Sequence, residues 1–394
     1  MKIDRIEATV VNVPLEVPYD WAYGELPGFT KTIVQVFTSD GIVGLGESPG
    51  ASSARLIAEE LAPALTGRDP VDIQGCEGVC MPPWRGVQSI HDWDRIHAWG
   101  GLEVALWDIR GKAWNRPLYD LLGGAVRKRI PFTEYFAFRG RWDGKGGEET
   151  PEAVADYCLR QHEEHGATFF EGKLSTADPR PSIALIELLR RRLGDGVMIR
   201  VDTNHAYSVA TARAIAPALE ALGVRNWEDP VGSIEEMRVL RQHTRIPFST
   251  HNLDFARAVE QRVPDAFVSS PAILGGLLRF QRFVGACEAA GIDFWCYSGD
   301  SGIMSAAYLH VCAAIQWIRE PNQALFRMQP YDVIAEGPFR PKDNLLPVPE
   351  GPGLGVTLAP DRLDFLRRHF ERHGPMNKYQ DRFAPGRFRR MPLA

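Results

Sequence analysis

The chain has 394 residues, with 45 Lys and Arg against 50 Asp and Glu, a formal net charge of −5 and 44% hydrophobic residues. That length allows a large buried core in two or three domains, or one barrel with additions. The slightly acidic balance gives no electrostatic case for nucleic acid or an anionic membrane, and no apolar run reaches the ~20 residues of a transmembrane helix.

The N-terminus, Met1 to Ile6, alternates apolar and polar residues like a strand and lacks the apolar stretch of a signal peptide, so a cytoplasmic protein is expected. Cys76, Cys80, Cys158, Cys287, Cys296 and Cys312 are scattered, with no His cluster beside the close pair, and read as free thiols rather than a zinc site.

In chain order, Ile3–Val13 alternates as a strand. Thr32–Phe37 and Ile42–Glu47 flank Asp40-Gly41, a hairpin signal. Between Val13 and Thr32, the aromatic and Gly-containing stretch from Pro18 to Gly28 suits a mobile lid better than a core element. Helical patterns follow at Ala51–Leu65 and Ile96–Trp114, the second ending before Pro117 and Gly123-Gly124. From Ile130 the grammar changes to short apolar runs, each followed by a helical pattern. These are Ile130–Phe136, Ala167–Leu174, Val197–Asp202, Val224–Glu228, Ile246–Thr250, Ala266–Ser270, Ile292–Tyr297 and Ala324–Met328. Eight such units predict an α/β fold built on a (β/α)8 barrel. A doubly wound sheet usually has fewer strands, and no Gly-x-Gly-x-x-Gly opens a helix here.

The expected organisation is an α+β capping domain over 1–128, with its lid at about 18–28, and a barrel over 129–330. The Pro- and Gly-rich segment 331–394 packs back on the capping domain and ends in a basic tail from Met376, an extended arm or an oligomer contact.

Barrel chemistry sits at the C-terminal ends of strands. Those ends carry Glu171-Gly172-Lys173, Asp202-Thr203-Asn204, Glu228-Asp229, His251-Asn252, Ser270 and Tyr297. Asp202 and Glu228, on neighbouring strand ends with a further donor on the next, form an arc that suits a hard divalent cation and a substrate carboxylate. The plainer alternative is that both acids cap the helices that follow. Lys173, beside Asp202, can serve as a base if burial and a nearby cation lower its pKa, or it can be a structural ion-pair partner.

Taken together these motifs resemble the mandelate racemase and glucarate dehydratase branches of the enolase superfamily. The resemblance is carried by Gly101-Leu102-Glu103-Val104-Ala105-Leu106-Trp107-Asp108, Asp40–Glu47, Trp227-Glu228-Asp229-Pro230 and Pro349–Val356, and runs to about Leu366. It implies Mg²⁺ held by Asp202, Glu228 and a third ligand placed after Pro247, at His251 or Asn252. It also implies a small carboxylate substrate, an acid sugar, and a homo-oligomer (dimer or octamer).

The departures shape the expected reaction. The branch often has Lys-x-Lys on strand two, and Glu171 replaces the first lysine. Tyr297 and Ser270 stand where a histidine and its aspartate, or a strand-six lysine, are found in relatives. With Lys173 as the one strong base, proton abstraction through a metal-stabilised enediolate leads to dehydration, with Tyr297 as acid or as an aromatic wall. Epimerisation and a catalytically weakened carboxylate-binding relative are the alternatives. Tyr23, Glu134, Tyr135, Glu171, Asn204 and His205 are expected around the substrate, the distal ones against its hydroxyls.

Overall fold

The computed structural model describes residues 1–82, 93–174, 178–376, 379–381, 384 and 386–387. The N-terminal domain is a three-stranded antiparallel sheet in the order β1 (Ile3–Trp21), β2 (Gly24–Thr38), β3 (Val43–Pro49). The sheet packs on the 21-residue helix Trp93–Ala113, where Gly44 and Gly46 let the backbones meet. A Cβ on Gly46 would lie 1.9 Å from the Gly101 carbonyl oxygen, so no other residue fits that crossing.

The stretch expected as a lid is a paired hairpin. β1 and β2 run on past a register shift at Pro14/Tyr19 through Tyr19↔Leu26, Asp20↔Glu25 and Trp21↔Gly24. The physical reason is that the period-2 pattern persists: Leu15, Val17 and Tyr19 are buried, while Glu16, Pro18 and Asp20 are more exposed.

The second domain is an eight-stranded parallel sheet. In order its strands are Glu134–Phe136, Phe169–Lys173, Met198–Asp202, Asn226–Glu228, Phe248–Thr250, Ala266–Ser269, Asp293–Ser298 and Gln323–Ala324. A parallel bridge between Phe132 and Asn322 joins the last strand to the first, so the sheet closes on itself. Residues facing the helices, such as Phe170, Val201, Trp227, Phe248, Phe267 and Phe294, form the main core. The alternate set points into the barrel. There the Arg200 guanidinium lies 3.8 Å from the centre of the Trp295 ring and donates to the Pro321 carbonyl at 2.7 Å.

Two strand assignments differ from the sequence reading. The run Ile130–Phe136 splits: Arg129–Pro131 pairs with Leu345–Pro347, and only Glu134–Phe136 enters the barrel. Strand eight is Gln323–Ala324, because the chain then turns into the short helix Phe326–Met328. Met328 and Gln329 therefore do not form the strand end.

The helix Pro360–His373 returns to the first domain, where the Asn12 amide donates to the Gly374 carbonyl at 2.9 Å. Most of the expected basic tail lies outside the described residues, although Gln380 bridges to Glu25. All six cysteines are buried and unpaired. Among the described residues no helix is long and apolar enough to cross a membrane.

Candidate metal and substrate site

Strand register places the chemistry. Lys173 is paired with Asp202, Asp202 with Glu228 and Glu228 with Ser249, so three ionisable tips stand in one row across adjacent strands. Neighbouring strands lie about 4.8 Å apart, which brings these side chains within ion-pair reach. Lys173 Nζ contacts Asp202 Oδ2, and both groups are buried. The Asn204 backbone N–H donates to Asp202 Oδ1 at 2.7 Å and its amide to Oδ2 at 3.1 Å. Asn204, His205 and Asp229 all take positive φ (47°, 61° and 45°), a conformation their short polar side chains tolerate better than most.

His251 Nε2 lies 3.0 Å from Glu228 Oε1, and its ring meets Tyr297 edge-on at 4.6 Å. Asn252 goes elsewhere: its side-chain oxygen accepts from the Asp254 N–H at 3.2 Å, in the turn that leads into the next helix. Asp229 holds this arc from behind, accepting from Thr250 Oγ1 at 2.7 Å and pairing with His205 Nε2 at 3.1 Å. Among the described residues, Glu228, Asp229 and His251 bring potential ligand atoms within 4.8 Å of one another.

The electrostatics follow from burying several carboxylates together. Burial, then the Glu228 and Asp229 charges, outweigh Lys173 and push Asp202 up to about 7. Burial also dominates at Glu171, which rises to about 8 against the pull of Arg200. For Lys173 burial acts downward, but Asp202, Tyr19 and Glu228 together hold it above its ordinary range. Burial likewise lowers His251, and Glu228 overrides it, lifting the imidazole to about 9.

The row opens into a pocket of about 320 Å³ whose floor includes Lys173, Asn204, His251 and Gln323. Tyr19, Trp21, Leu26 and Phe29 of the hairpin cover it, and Tyr135 and Tyr297 line its sides. Burial is the main cause that pushes the Tyr297 hydroxyl well up, so it stays protonated.

Several expected contacts are corrected. Glu134 is on the outward face of its strand, where both carboxylate oxygens take the Arg327 guanidinium at 2.9 and 2.8 Å. Glu171 sits below the pocket, holding the Gln323 amide and facing Arg200. His205 is bound to Asp229 and to the Val231 carbonyl, away from the pocket wall. Tyr23 is not among the pocket-lining residues; its hydroxyl donates to the Asn204 carbonyl at 2.9 Å.

Two residues were absent from the sequence reading. Gln323 donates from one amide nitrogen to both Glu171 and Glu228. Tyr19 lies close enough to Lys173 for the two to influence each other's ionisation, and burial carries its hydroxyl up to about 12. The continued β1 alternation signalled an inward Tyr19; nothing in the sequence marked Gln323.

Fold and site together define an α/β barrel with a hairpin-roofed pocket over a carboxylate-rich rim. Residues 5–123 match the family described as mandelate racemase / muconate lactonizing enzyme, N-terminal domain, and residues 153–362 the enolase C-terminal domain-like family. The chain belongs to the mandelate racemase/muconate lactonizing group of the enolase superfamily. It is 30% identical to a chloromuconate cycloisomerase of Pseudomonas putida, over 95% of this chain and 100% of that one. It is 28% identical to a probable glucarate dehydratase of Streptomyces coelicolor, over 87% of this chain and 86% of the relative. An enolase of Pseudomonas fluorescens solved with bound magnesium, potassium and tartrate superposes with a TM-score of 0.85 at 26% identity, covering 95% and 93% of the two chains.

Proposed function

We propose that this protein removes the proton α to a substrate carboxylate with Lys173 as base, and that elimination of a β-hydroxyl as water completes the reaction. The observation that carries the reading is the Lys173–Asp202–Glu228 row at the pocket floor.

The donor set fits a hard divalent cation, Mg²⁺ as in the Pseudomonas fluorescens relative. Asp202, Glu228 and His251 would hold it, and Asn204 Oδ1 is a buried oxygen with no hydrogen-bond partner beside them. When bound, such a cation offsets the negative charge that develops on a carboxylate as its α-proton leaves. Asp229 orients His251 by accepting its backbone N–H at 3.2 Å. Lys173 accepts the proton at Nζ once Asp202 no longer pairs with it; what then acts most strongly on the amine is burial, which lowers its pKa. Tyr297, protonated and at the pocket side, donates to the departing hydroxyl. Tyr19 and the rest of the hairpin keep water from the carbanion side.

Incubation in D₂O with Mg²⁺ and a panel of 2,3-dihydroxy acids tests this by solvent exchange at the α-carbon. Exchange with loss of water, reduced at least ~1,000-fold in Lys173→Met, is expected if the lysine is the base. Exchange with inversion and no loss of water would replace dehydration by epimerisation. Binding without exchange would leave a carboxylate-binding protein.

A further inference from the structure

We infer that the carboxylate handled in this pocket carries a compact hydrocarbon side group rather than the hydroxylated chain of an acid sugar. The inference rests on the reading of the site as a carboxylate pocket and names the substrate class of that site.

The pocket has two unlike halves. Its floor is made of strand tips that bear Lys173, Asn204, His251 and Gln323. Its roof is Tyr19, Trp21, Leu26 and Phe29 of the hairpin; Leu26 and Phe29, with Ile273 and Leu325 of the barrel loops, form a far wall of hydrocarbon. A hydroxyl lodged against such a wall gives up its water partners without gaining others, which is costly.

Apart from the hydroxyls of Tyr19, Tyr135 and Tyr297, the polar groups that line the cavity are largely engaged with one another. The Gln323 amide is shared between Glu171 and Glu228, and Lys173 is on Asp202. The Asn204 amide donates to Asp202 at 3.1 Å, and His251 is 3.0 Å from Glu228. The buried lining oxygens with no partner, Asn204 Oδ1 and Ser269 Oγ, belong to the strand ends. With the Tyr297 hydroxyl they can serve a hydroxyl next to the carboxylate, whereas Leu26, Phe29, Ile273 and Leu325 of the far wall carry no polar side-chain atom.

Charged side chains near the far wall are held in ion pairs. Lys31, two residues beyond Phe29, is committed to Asp300 and Glu47, and Arg139 pairs with Glu148 at 3.0 Å. Phe29 is seated on Gly299, where a Cβ would lie 2.4 Å from the ring, so the roof is fixed in place by packing. A volume of about 320 Å³ is at the small end for ligand sites, room for a short alkyl group or one ring.

The test compares hexanoate with gluconate, which share one carbon skeleton and differ in hydroxylation. Calorimetric titration in saturating Mg²⁺, on wild type and Lys173→Met, reads binding independently of turnover. Hexanoate is expected to bind about 100-fold tighter than gluconate in both proteins. Leu26→Asn and Ile273→Asn, checked for folding by circular dichroism, are expected to narrow that ratio by about ten-fold. Gluconate binding as tightly as hexanoate, or neither acid binding, would overturn the inference. The chemistry is scored separately with 2,3-dihydroxyhexanoate in D₂O. Hexanoate binding without α-exchange on that acid supports the substrate class and retires the proton-abstraction reading alone.

Discussion

Gln323 offers the sharpest check on how the carboxylates of this barrel coexist. Its single amide nitrogen serves Glu171 and Glu228, both fully buried. Replacing it by leucine keeps the approximate volume and deletes both hydrogen bonds. A hydrogen bond to a charged group is worth ~1.5–3 kcal/mol, so the loss is about 3–6 kcal/mol. For 394 residues at about 2.1 cal/mol/K each, the unfolding entropy is about 0.8 kcal/mol/K, which converts that loss to a fall in Tm of about 4–7 °C. Differential scanning calorimetry in EDTA at pH 8 measures it. Part of the loss should return on lowering the pH, because Glu171 is pushed up to about 8 by burial and is more readily protonated without its donor. A Tm within 1 °C of wild type would refute the argument: the amide would then not be what makes two buried carboxylates tolerable.

Three further outcomes follow from the geometry. Mg²⁺ at 100 times its Kd should stabilise the wild type by about 2.7 kcal/mol; His251→Ala should lose most of this and Asn252→Ala little, as read by thermal shift against metal concentration. Asp108→Ala removes the acceptor for the Leu45 and Leu354 N–H groups, each at 2.8 Å, and for Lys112, and should cost about 3–5 kcal/mol in urea unfolding. His310 is buried and lowered to about 4, chiefly by burial. The unfolded chain therefore takes up a proton near pH 6.5 that the folded one refuses until about 4, and stability falls as pH drops through that window. Urea unfolding from pH 7 to 4 should show a shallower decline in His310→Gln.

The capping domain is joined to the barrel by buried acids that terminate barrel helices. Glu103 accepts the Leu277 and Leu278 N–H groups at 2.6 and 3.0 Å, and Glu47 accepts that of Ser301 at 3.0 Å. These contacts span 174 and 254 residues of sequence, and they hold the hairpin over the strand tips.

What the sequence determined by itself is what local periodicity can carry. Alternation with a turn dipeptide specified the Thr32–Glu47 hairpin. The recurrence of apolar runs before helical patterns specified the barrel and, through it, that Lys173, Asp202 and Glu228 end neighbouring strands. Tertiary structure decided the rest, because it depends on single-residue parity and on long-range partners. One step along strand one separates Tyr135, in the pocket, from Glu134, bound outside to Arg327. One step after strand five separates His251, on Glu228, from Asn252, in the turn toward the next helix. Gln323 and Tyr19 gained their places only when strands distant in sequence closed around them, and the apolar roof became visible only when the hairpin folded over the barrel. A strand's period tells which residues alternate, but only packing tells which face is inside.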